Sequence, residues 1–458
     1  MSSVETTQNR QNLNEDHSGS SSELDDIQEL PEIENKMVFS DSSEDEIVEI
    51  DTRPLRRVSR FVTFINLTNA LLGAGIISMS STFKSVGLGP TIILLIISCL
   101  LCYISGVILL NLQFELHISN IDELANGIFG RPCQILISML IFIFDLAFTT
   151  TYLVIGADSI LSWIRCSGAK WTGFGPWAGI IIIYSLFLPI AMTIPRKFLF
   201  LDKFQMLTVF LIVFYAIAII VKGFAASEVP DPSVVGTTYS MSMFTSFSVH
   251  CLTFCLPIHM LPVISPYNPN QLKRQTIMAS SLVFCFIVIV APGIVGYLIM
   301  GENTRSNLLS SFPDNDTLFI VVRIAIFLVV TFSYPVITNE MAGTLGGFLY
   351  HNSEPSEMTL KQRCILLPLV NAISLIFALL SNNMLPILGL GGALGTCLVT
   401  FAFPSICRLK ITHSKLSSPR NIAHMCFAGF GIIMACICVY TSAADLIKAY
   451  KEGTIKNH

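Results

Sequence analysis

Apolar residues in this chain gather in long unbroken runs rather than in the short alternating or 3.6-residue patterns of a soluble fold. Each run is roughly 18 to 25 residues, enough for a helix to cross ~30 Å of hydrocarbon. Eleven spans are predicted: Phe61–Phe83, Pro90–Leu112, Ile135–Leu161, Trp177–Ile194, Met206–Val221, Phe244–Ile264, Ile277–Met300, Leu318–Ile337, Cys364–Leu380, Met384–Pro404 and Ile422–Tyr440. The ninth and tenth are separated only by Ser381, Asn382, Asn383 and Pro386. Helices rather than barrel strands are expected, because continuous runs lack the alternation of a barrel and a helix satisfies its own backbone inside lipid.

Composition agrees. Hydrophobic residues make up 52% of the 458 positions and charged ones only 13%, about half the charged share of a soluble domain. Charge is also unevenly placed. Met1 to Ile50 holds 14 acidic residues against Arg10 and Lys36, a net of −12, which leaves +8 for the rest of a chain whose total is −4. Residues 1–55 are therefore read as a disordered acidic tail, 56–445 as the membrane domain and 446–458 as a short C-terminal tail. The N-terminal stretch lacks the basic start and apolar core of a signal peptide.

Lys and Arg set the orientation. Arg53, Arg56, Arg57 and Arg60 precede the first span, and with that end in the cytosol the same side receives Arg131, Lys203, Lys273, Lys361 and Arg408. The opposite loops carry far fewer. A multi-pass protein with a cytosolic N-terminus is expected, in the plasma membrane or a vacuolar or lysosomal one. Most of the 13 cysteines lie within apolar runs, where they pack as small hydrophobes. No His/Cys spacing fits a zinc site. Neither an enzyme's catalytic cluster nor a nucleic-acid-binding pattern is present.

Two spans are interrupted. In the first, the run Asn66–Ile76 puts Gly73 and Gly75 near the middle of the span. Glycines there lower the cost of unwinding, and an unwound turn exposes carbonyls and amides that can hold a cation and a carboxylate. The other reading is a small-residue face for close packing. In the sixth, Pro257 and Pro262 sit deep in an apolar run with His250 and His259 nearby; each proline removes a helical donor. Breaks in the first and sixth helices point to a five-plus-five inverted repeat.

These residues carry a resemblance. The run Asn66–Ile76 is similar to the first-helix signature of the amino acid/auxin permease family, which includes sodium-coupled neutral and vacuolar amino acid transporters. Further matches are Thr193-Ile194-Pro195-Arg196-Lys197, Gly296 to Asn303, Thr331-Phe332-Ser333-Tyr334-Pro335 and, more weakly, Gly391-Gly392-Ala393-Leu394-Gly395 with Phe403-Pro404. The resemblance implies an all-α polytopic fold like that of the bacterial leucine transporter, with broken helices 1 and 6. It implies secondary active transport of an amino acid, expected to be neutral, by symport with Na⁺ or H⁺ and with no other cofactor. Leu71, Leu72, Gly73, Ala74 and Gly75 would bind the substrate's carboxylate and amine, with Thr149, Cys255 and Pro257 beside them. Asn69 would lie near the cation, and Thr331 and Ser333 would supply oxygens to Na⁺. Back-bonding of those hydroxyls within the helix is the alternative. A membrane sensor that binds amino acids without moving them would share the same residues.

The sequence departs from the family at two places. Cys255-Leu256-Pro257 has one extra residue before Leu261-Pro262, which shifts His259. Asp145 stands in the third span where sodium-coupled relatives tend to carry an amide. An intramembrane carboxylate is costly unless it pairs or protonates, so Asp145 is a candidate for the coupling proton or for a substrate amine; a polar contact with Thr149 or Thr150 is the other reading. His250 and His259 are candidate relays or simply bonded core histidines, and Glu340 is a candidate gate charge. A regulatory kinase is an expected partner of the tail, at Ser59 after Arg56-Arg57 and at Ser42 and Ser43 among acidic residues. Asn315-Asp316-Thr317 is a glycosylation sequon predicted on the outer or luminal side.

Overall fold

The computed structural model describes residues 58–451 apart from 74, 170–172, 195–198, 227–228, 239, 351–357, 381–382 and 413. The acidic tail, with Ser42 and Ser43, lies outside the described residues. So does Ala74.

Every regular element among the described residues is helical. In order these are α1 (Arg60–Leu71), α2 (Gly75–Val86), α3 (Leu88–Leu116), α4 (Ile121–Phe129), α5 (Arg131–Cys166), α6 (Phe174–Phe187) and α7 (Leu199–Ala225). There follow α8 (Ser242–Thr253), α9 (Pro257–Ile264), α10 (Gln271–Met300), α11 (Thr317–Tyr350), α12 (Leu360–Leu380), α13 (Met384–Gly391), a π-helical stretch Gly392–Ala402, α14 (Phe403–Ile411) and α15 (Pro419–Lys451). Ten described helical segments are long and apolar enough to span a bilayer. The α1/α2 pair, bent by 48°, makes an eleventh. Each falls on one of the predicted runs, and the ninth and tenth are separate: Asn383 caps α13 by accepting from the Leu385 N–H at 3.2 Å.

Helix ends that an alternating path places on one face of the membrane do touch. Val58 N–H donates to Pro266 O at 3.1 Å, and Arg408 pairs with Glu115. At the other face the Lys84 ammonium donates to Thr304 O at 3.1 Å, while Asp445 accepts from Thr245 at 2.7 Å. The sides of the bundle are apolar, with Phe224 and Phe187 88% and 77% exposed, as a lipid-facing surface requires. Span six is the most enclosed and the last span the least, with 83% and 22% of their apolar windows buried.

One element has no counterpart in the span prediction. The nine-residue α4 runs between spans two and three. Asn120 caps it by accepting from Glu123 N–H at 2.7 Å, while the Glu123 carboxylate accepts from Ser119 N–H at 2.6 Å, a variant of the capping box that reaches one residue beyond the N-cap. The glycines of span ten serve packing. A Cβ on Gly392 would lie 2.0 Å from Ser248 O, and one on Gly395 2.5 Å from the Phe144 ring. The span ten backbone can therefore lie directly against spans six and three.

Candidate functional site

The two interrupted spans meet. The α1 helix ends at Leu71. Leu72 leaves helical geometry at φ −80°, ψ 78°, its N–H bonded to Thr68 O at 2.9 Å. Leu71 and Leu72 are both buried, and the Gly73 N–H donates to Leu71 O at 2.9 Å. A Cβ on Gly73 would stand 2.9 Å from the Phe148 ring and 3.0 Å from the Tyr152 hydroxyl, both on α5. A Cβ on Gly75 would stand 2.2 Å from Thr253 Oγ1, the last residue of α8. Both readings of the glycines therefore hold at once: the chain unwinds, and it does so pressed between span three and the break in span six.

In span six, α8 stops at Thr253 and α9 restarts at Pro257. A proline in the first turn costs nothing, because its missing N–H would have no helical partner. Leu256 N–H turns back to Phe254 O at 2.8 Å, and Cys255 Sγ lies 3.1 Å from Thr400 Oγ1 of the π-helical stretch. Proline thus sets the start of the second half-helix, the one that carries His259.

His259 joins three elements. Its Nε2 lies 3.2 Å from Asp145 Oδ1 on α5, and its Nδ1 lies 3.2 Å from Glu340 Oε2 on α11. Asp145 is buried at 1% exposure, whereas the Glu340 side chain is 47% exposed. The Phe144 ring forms an apolar wall 5.9 Å from the imidazole, centroid to centroid. One ligand atom from each of the three residues falls within 4.8 Å of the others. An intramembrane carboxylate of this depth demands a partner, and the imidazole stands at ion-pair distance from it while neither Asp145 carboxylate oxygen makes a hydrogen bond. Neither Thr149 nor Thr150 serves. The Thr149 hydroxyl donates to the Asp145 carbonyl at 3.2 Å, and Thr150 Oγ1 has no hydrogen-bond partner. Asp145 and His259 are visible in the sequence as ionisable groups inside apolar runs, and Glu340 as a charge just beyond the Ile337 end of the eighth run. Their convergence is not visible there, because three separate helices supply them.

The other expected site residues lie as follows. The Asn69 carboxamide oxygen accepts from Thr208 on α7 at 2.6 Å. The Thr331 hydroxyl is 2.9 Å from that of Tyr184 on α6, and Ser333 is half-buried on the same helix. Thr149 faces Ser374 of α12 at 3.0 Å. Asn69 and Thr331 are thus each engaged by a hydrogen bond from a neighbouring helix. His250 is fully buried with Nε2 2.9 Å from Thr82 Oγ1. Ser59 caps α1, accepting from Val62 N–H at 3.4 Å, and Asn315 is exposed in the turn before α11.

A polar cleft of about 200 Å³ opens between α4, α5 and α11, lined by Asp122, Arg131, Gln134, Ser138 and Thr344. Ser138 donates to Asp122 at 2.5 Å. Burial pushes the Asp122 carboxyl above its ordinary range, against the lowering effect of that hydrogen bond.

Comparison with known proteins fits this arrangement. Residues 56–448 match the profile of the family described as transmembrane amino acid transporter protein. The chain is 24% identical to the sodium-coupled neutral amino acid transporter 7 of Xenopus laevis over 407 residues, covering 84% of this chain and 88% of that protein. It is 24% identical to amino acid transporter AVT6A of Arabidopsis thaliana over 411 residues, with the same shares. Among solved structures, a substrate-bound, outward-open Na⁺-coupled sialic acid symporter aligns with a TM-score of 0.49 at 13% identity, covering 85% of this chain and 90% of that one.

Proposed function

Because the chain belongs to the transmembrane amino acid transporter protein family, we propose that it is a secondary active carrier that moves a neutral amino acid across its membrane by alternating access, driven by a Na⁺ or H⁺ gradient. The observation that carries this reading is the meeting of two broken spans, with Gly73 and Gly75 of span one packed against Phe148, Tyr152 and Thr253. Unwound backbone in the middle of a membrane is tolerated where it lines a cavity or is enclosed by protein, and it supplies amides and carbonyls for a zwitterion. Leu71 to Gly75 would hold the substrate's carboxylate and amine, with Cys255 and Pro257 opposite.

The two relatives' names mention sodium coupling in one case and only amino acid transport in the other, and both sit at the same identity to this chain. Mechanistically, the half-helices after the breaks would rock against α5 and α11. The N-terminus and the α9 end of span six would face the cytosol, in a plasma, vacuolar or lysosomal membrane, and a kinase acting on Ser59 or on the acidic tail would regulate the carrier.

The test is uptake and counterflow in proteoliposomes with a panel of amino acids under an imposed Na⁺ or pH gradient. Counterflow of a labelled neutral amino acid is expected. Saturable binding with no flux would identify a sensor and overturn the proposal.

A further inference from the structure

We propose that Asp145, His259 and Glu340 form a proton-binding latch on the cytosolic pathway: a proton held on His259 ties the half-helix α9 to α5 and α11, and its loss releases α9. The inference rests on the alternating-access reading, and it names the ion and the side chains that operate one gate.

The placement of the three residues carries it. His259 is the third residue of α9, an eight-residue half-helix that begins directly after the break at Phe254 to Leu256. Its partners stand on α5 and α11, continuous helices of 36 and 34 residues. A short segment with a hinge at its start is thus fastened to two long, unbroken ones. Hinges are the few residues at element ends that absorb backbone change, and a fastening placed just beyond one controls whether the segment can swing.

The chemistry of the contact fits a proton better than a metal ion. Each ring nitrogen faces a different carboxylate, Nε2 toward Asp145 and Nδ1 toward Glu340. An imidazolium carries an N–H at each nitrogen and a positive charge, so it ion-pairs with both carboxylates at the observed 3.2 Å separations, whereas an ion bound to one ring nitrogen would leave the other carboxylate facing a nitrogen it does not share. When the proton leaves Nδ1 it passes to the Glu340 carboxylate, giving a neutral imidazole and a carboxylic acid. Glu340, the more exposed of the pair, then releases the proton to water. Neutral His259 keeps its Nε2 hydrogen toward Asp145, so one of the two fastenings is lost.

A route for that proton lies alongside. Ser138 and Thr344 line the cleft between α4, α5 and α11. Residues three, four and seven apart share a helix face. Ser138 therefore lies on the α5 face that carries Asp145, and Thr344 on the α11 face that carries Glu340. Phe142, one turn from Asp145 on α5, is buried in an apolar cluster with Met341 and Ala342 of α11. The charged groups facing the imidazole are Asp145 and Glu340. Tyr152 of α5, Cys255 of the break and Asp122 of α4 lie within electrostatic reach of Asp145.

The latch is tested through native Cys255, which is buried in the break ahead of His259, with exposed Cys364 at the start of α12 as an internal reference. A small charged methanethiosulfonate is applied to the full-length protein in open membrane sheets, and labelling of both cysteines is read by peptide mass spectrometry on either side of the ordinary imidazole pKa of ~6.5. Because a buried thiol and an exposed one ionise differently, the same ratio in His259→Gln supplies the thiols' own pH dependence. From the acidic to the alkaline buffer the Cys255/Cys364 ratio is expected to rise about tenfold further in the unsubstituted protein than in His259→Gln, the scale of a minor conformer becoming a major one. In acid His259→Gln should give the higher ratio, and Glu340→Gln should raise it there too. Asp145→Asn, which keeps side-chain volume, serves if His259→Gln does not fold. A ratio that is flat in the unsubstituted protein, or unchanged in folded variants, overturns the latch. Counterflow in the same preparation reports on transport independently, so a pH-dependent ratio without flux would discard the carrier reading alone, and flux with a flat ratio the latch alone.

Discussion

The hydroxyls of Tyr184 and Thr331 lie 2.9 Å apart, joining span four to span eight inside the bundle. Both side chains are buried, so each hydroxyl depends on the other in place of water. Replacing Thr331 by Val removes one member and strands its partner, which costs ~1–3 kcal/mol for a buried polar group. Thr331→Val is expected to lower the unfolding temperature of the purified protein in detergent while leaving any Na⁺ response of uptake as it was. Loss of Na⁺ stimulation with unchanged stability would instead place Thr331 at a cation.

Gly75 supplies a sharper steric test. A methyl group there would sit 2.2 Å from Thr253 Oγ1, 2.8 Å from Cγ2 and 2.9 Å from Cβ, so the two breaks could not keep their present approach. Overpacking of this kind costs typically ~1–3 kcal/mol. Gly75→Ala is expected to reduce uptake severely, and adding Thr253→Ala should restore part of it, since two of the three close atoms are then gone. Uptake by the single and double variants at matched surface or vesicle abundance decides the matter; a double variant no better than the single one would show that the contact does not govern the site.

The span pattern was legible because a helix crossing hydrocarbon must be apolar over its whole length, and Gly73, Gly75 and Pro257 betrayed the breaks because no other residues make a break so cheap. The capping box of α4 was also readable in Asn120 and Glu123, yet a nine-residue amphipathic helix has no long apolar run to announce it. Convergence across helices leaves no sequence signal of its own. Asp145 and His259 stand out as ionisable groups inside apolar runs and Glu340 as a charge at the end of one, but which of them touch depends on the rotation of three helices. Thr331 and Asn69 likewise read as polar groups inside apolar runs, while their hydrogen bonds to Tyr184 and Thr208 depend on helix packing that the sequence does not display.

Asp158 fastens the loop between spans seven and eight to the third span. Its carboxylate accepts from the Trp177 indole at 3.2 Å and from Asn307 at 2.9 Å, with Ser310 at 3.5 Å, and the residue is buried. Hydrogen bonds to a charged group are worth ~1.5–3 kcal/mol, and a partner left behind adds its desolvation. Asp158→Ala is therefore expected to destabilise the protein by about 2–4 kcal/mol and to speed proteolysis of the 301–316 loop. Limited proteolysis that cuts the variant and the unsubstituted protein at the same rate would refute it.

Asp316 gives a pH dependence with a defined sign. The hydrogen bond from the Lys222 ammonium, 2.5 Å away, holds its carboxyl below the usual carboxylate range, aided by the backbone N–H groups of Leu318 and Phe319. A depressed folded-state pKa stabilises above the unfolded value of ~3.9 and loses that contribution as pH falls through the folded value. Both groups are partly solvated, which limits the pair to about 0.5–1 kcal/mol. Lys222→Met should therefore lower the unfolding temperature slightly at neutral pH, and the difference from the unsubstituted protein should close in strong acid. Thermal melts of both proteins across an acid series read this directly, and a gap that widens in acid would reverse the sign.

The same turn carries the orientation test. Asn315 is exposed immediately before Asp316, and Thr317 opens α11, so the sequon sits at a helix entrance rather than within a span. Asn66, the other sequon, lies inside α1 and is closed to modification. If the end of α1 at Arg60 faces the cytosol, the alternating path brings the loop between spans seven and eight to the luminal side, where the glycosylation machinery acts. Expression in a secretory-pathway host is expected to give a glycosidase-sensitive form that both Asn315→Gln and Thr317→Ala abolish, whereas Asn66→Gln leaves it unchanged. The double requirement matters: loss with Asn315→Gln alone could reflect misfolding, but Thr317→Ala keeps the acceptor and removes only its recognition. A protein made efficiently in that host and never glycosylated would argue for the opposite orientation, and with it against a cytosolic latch at His259.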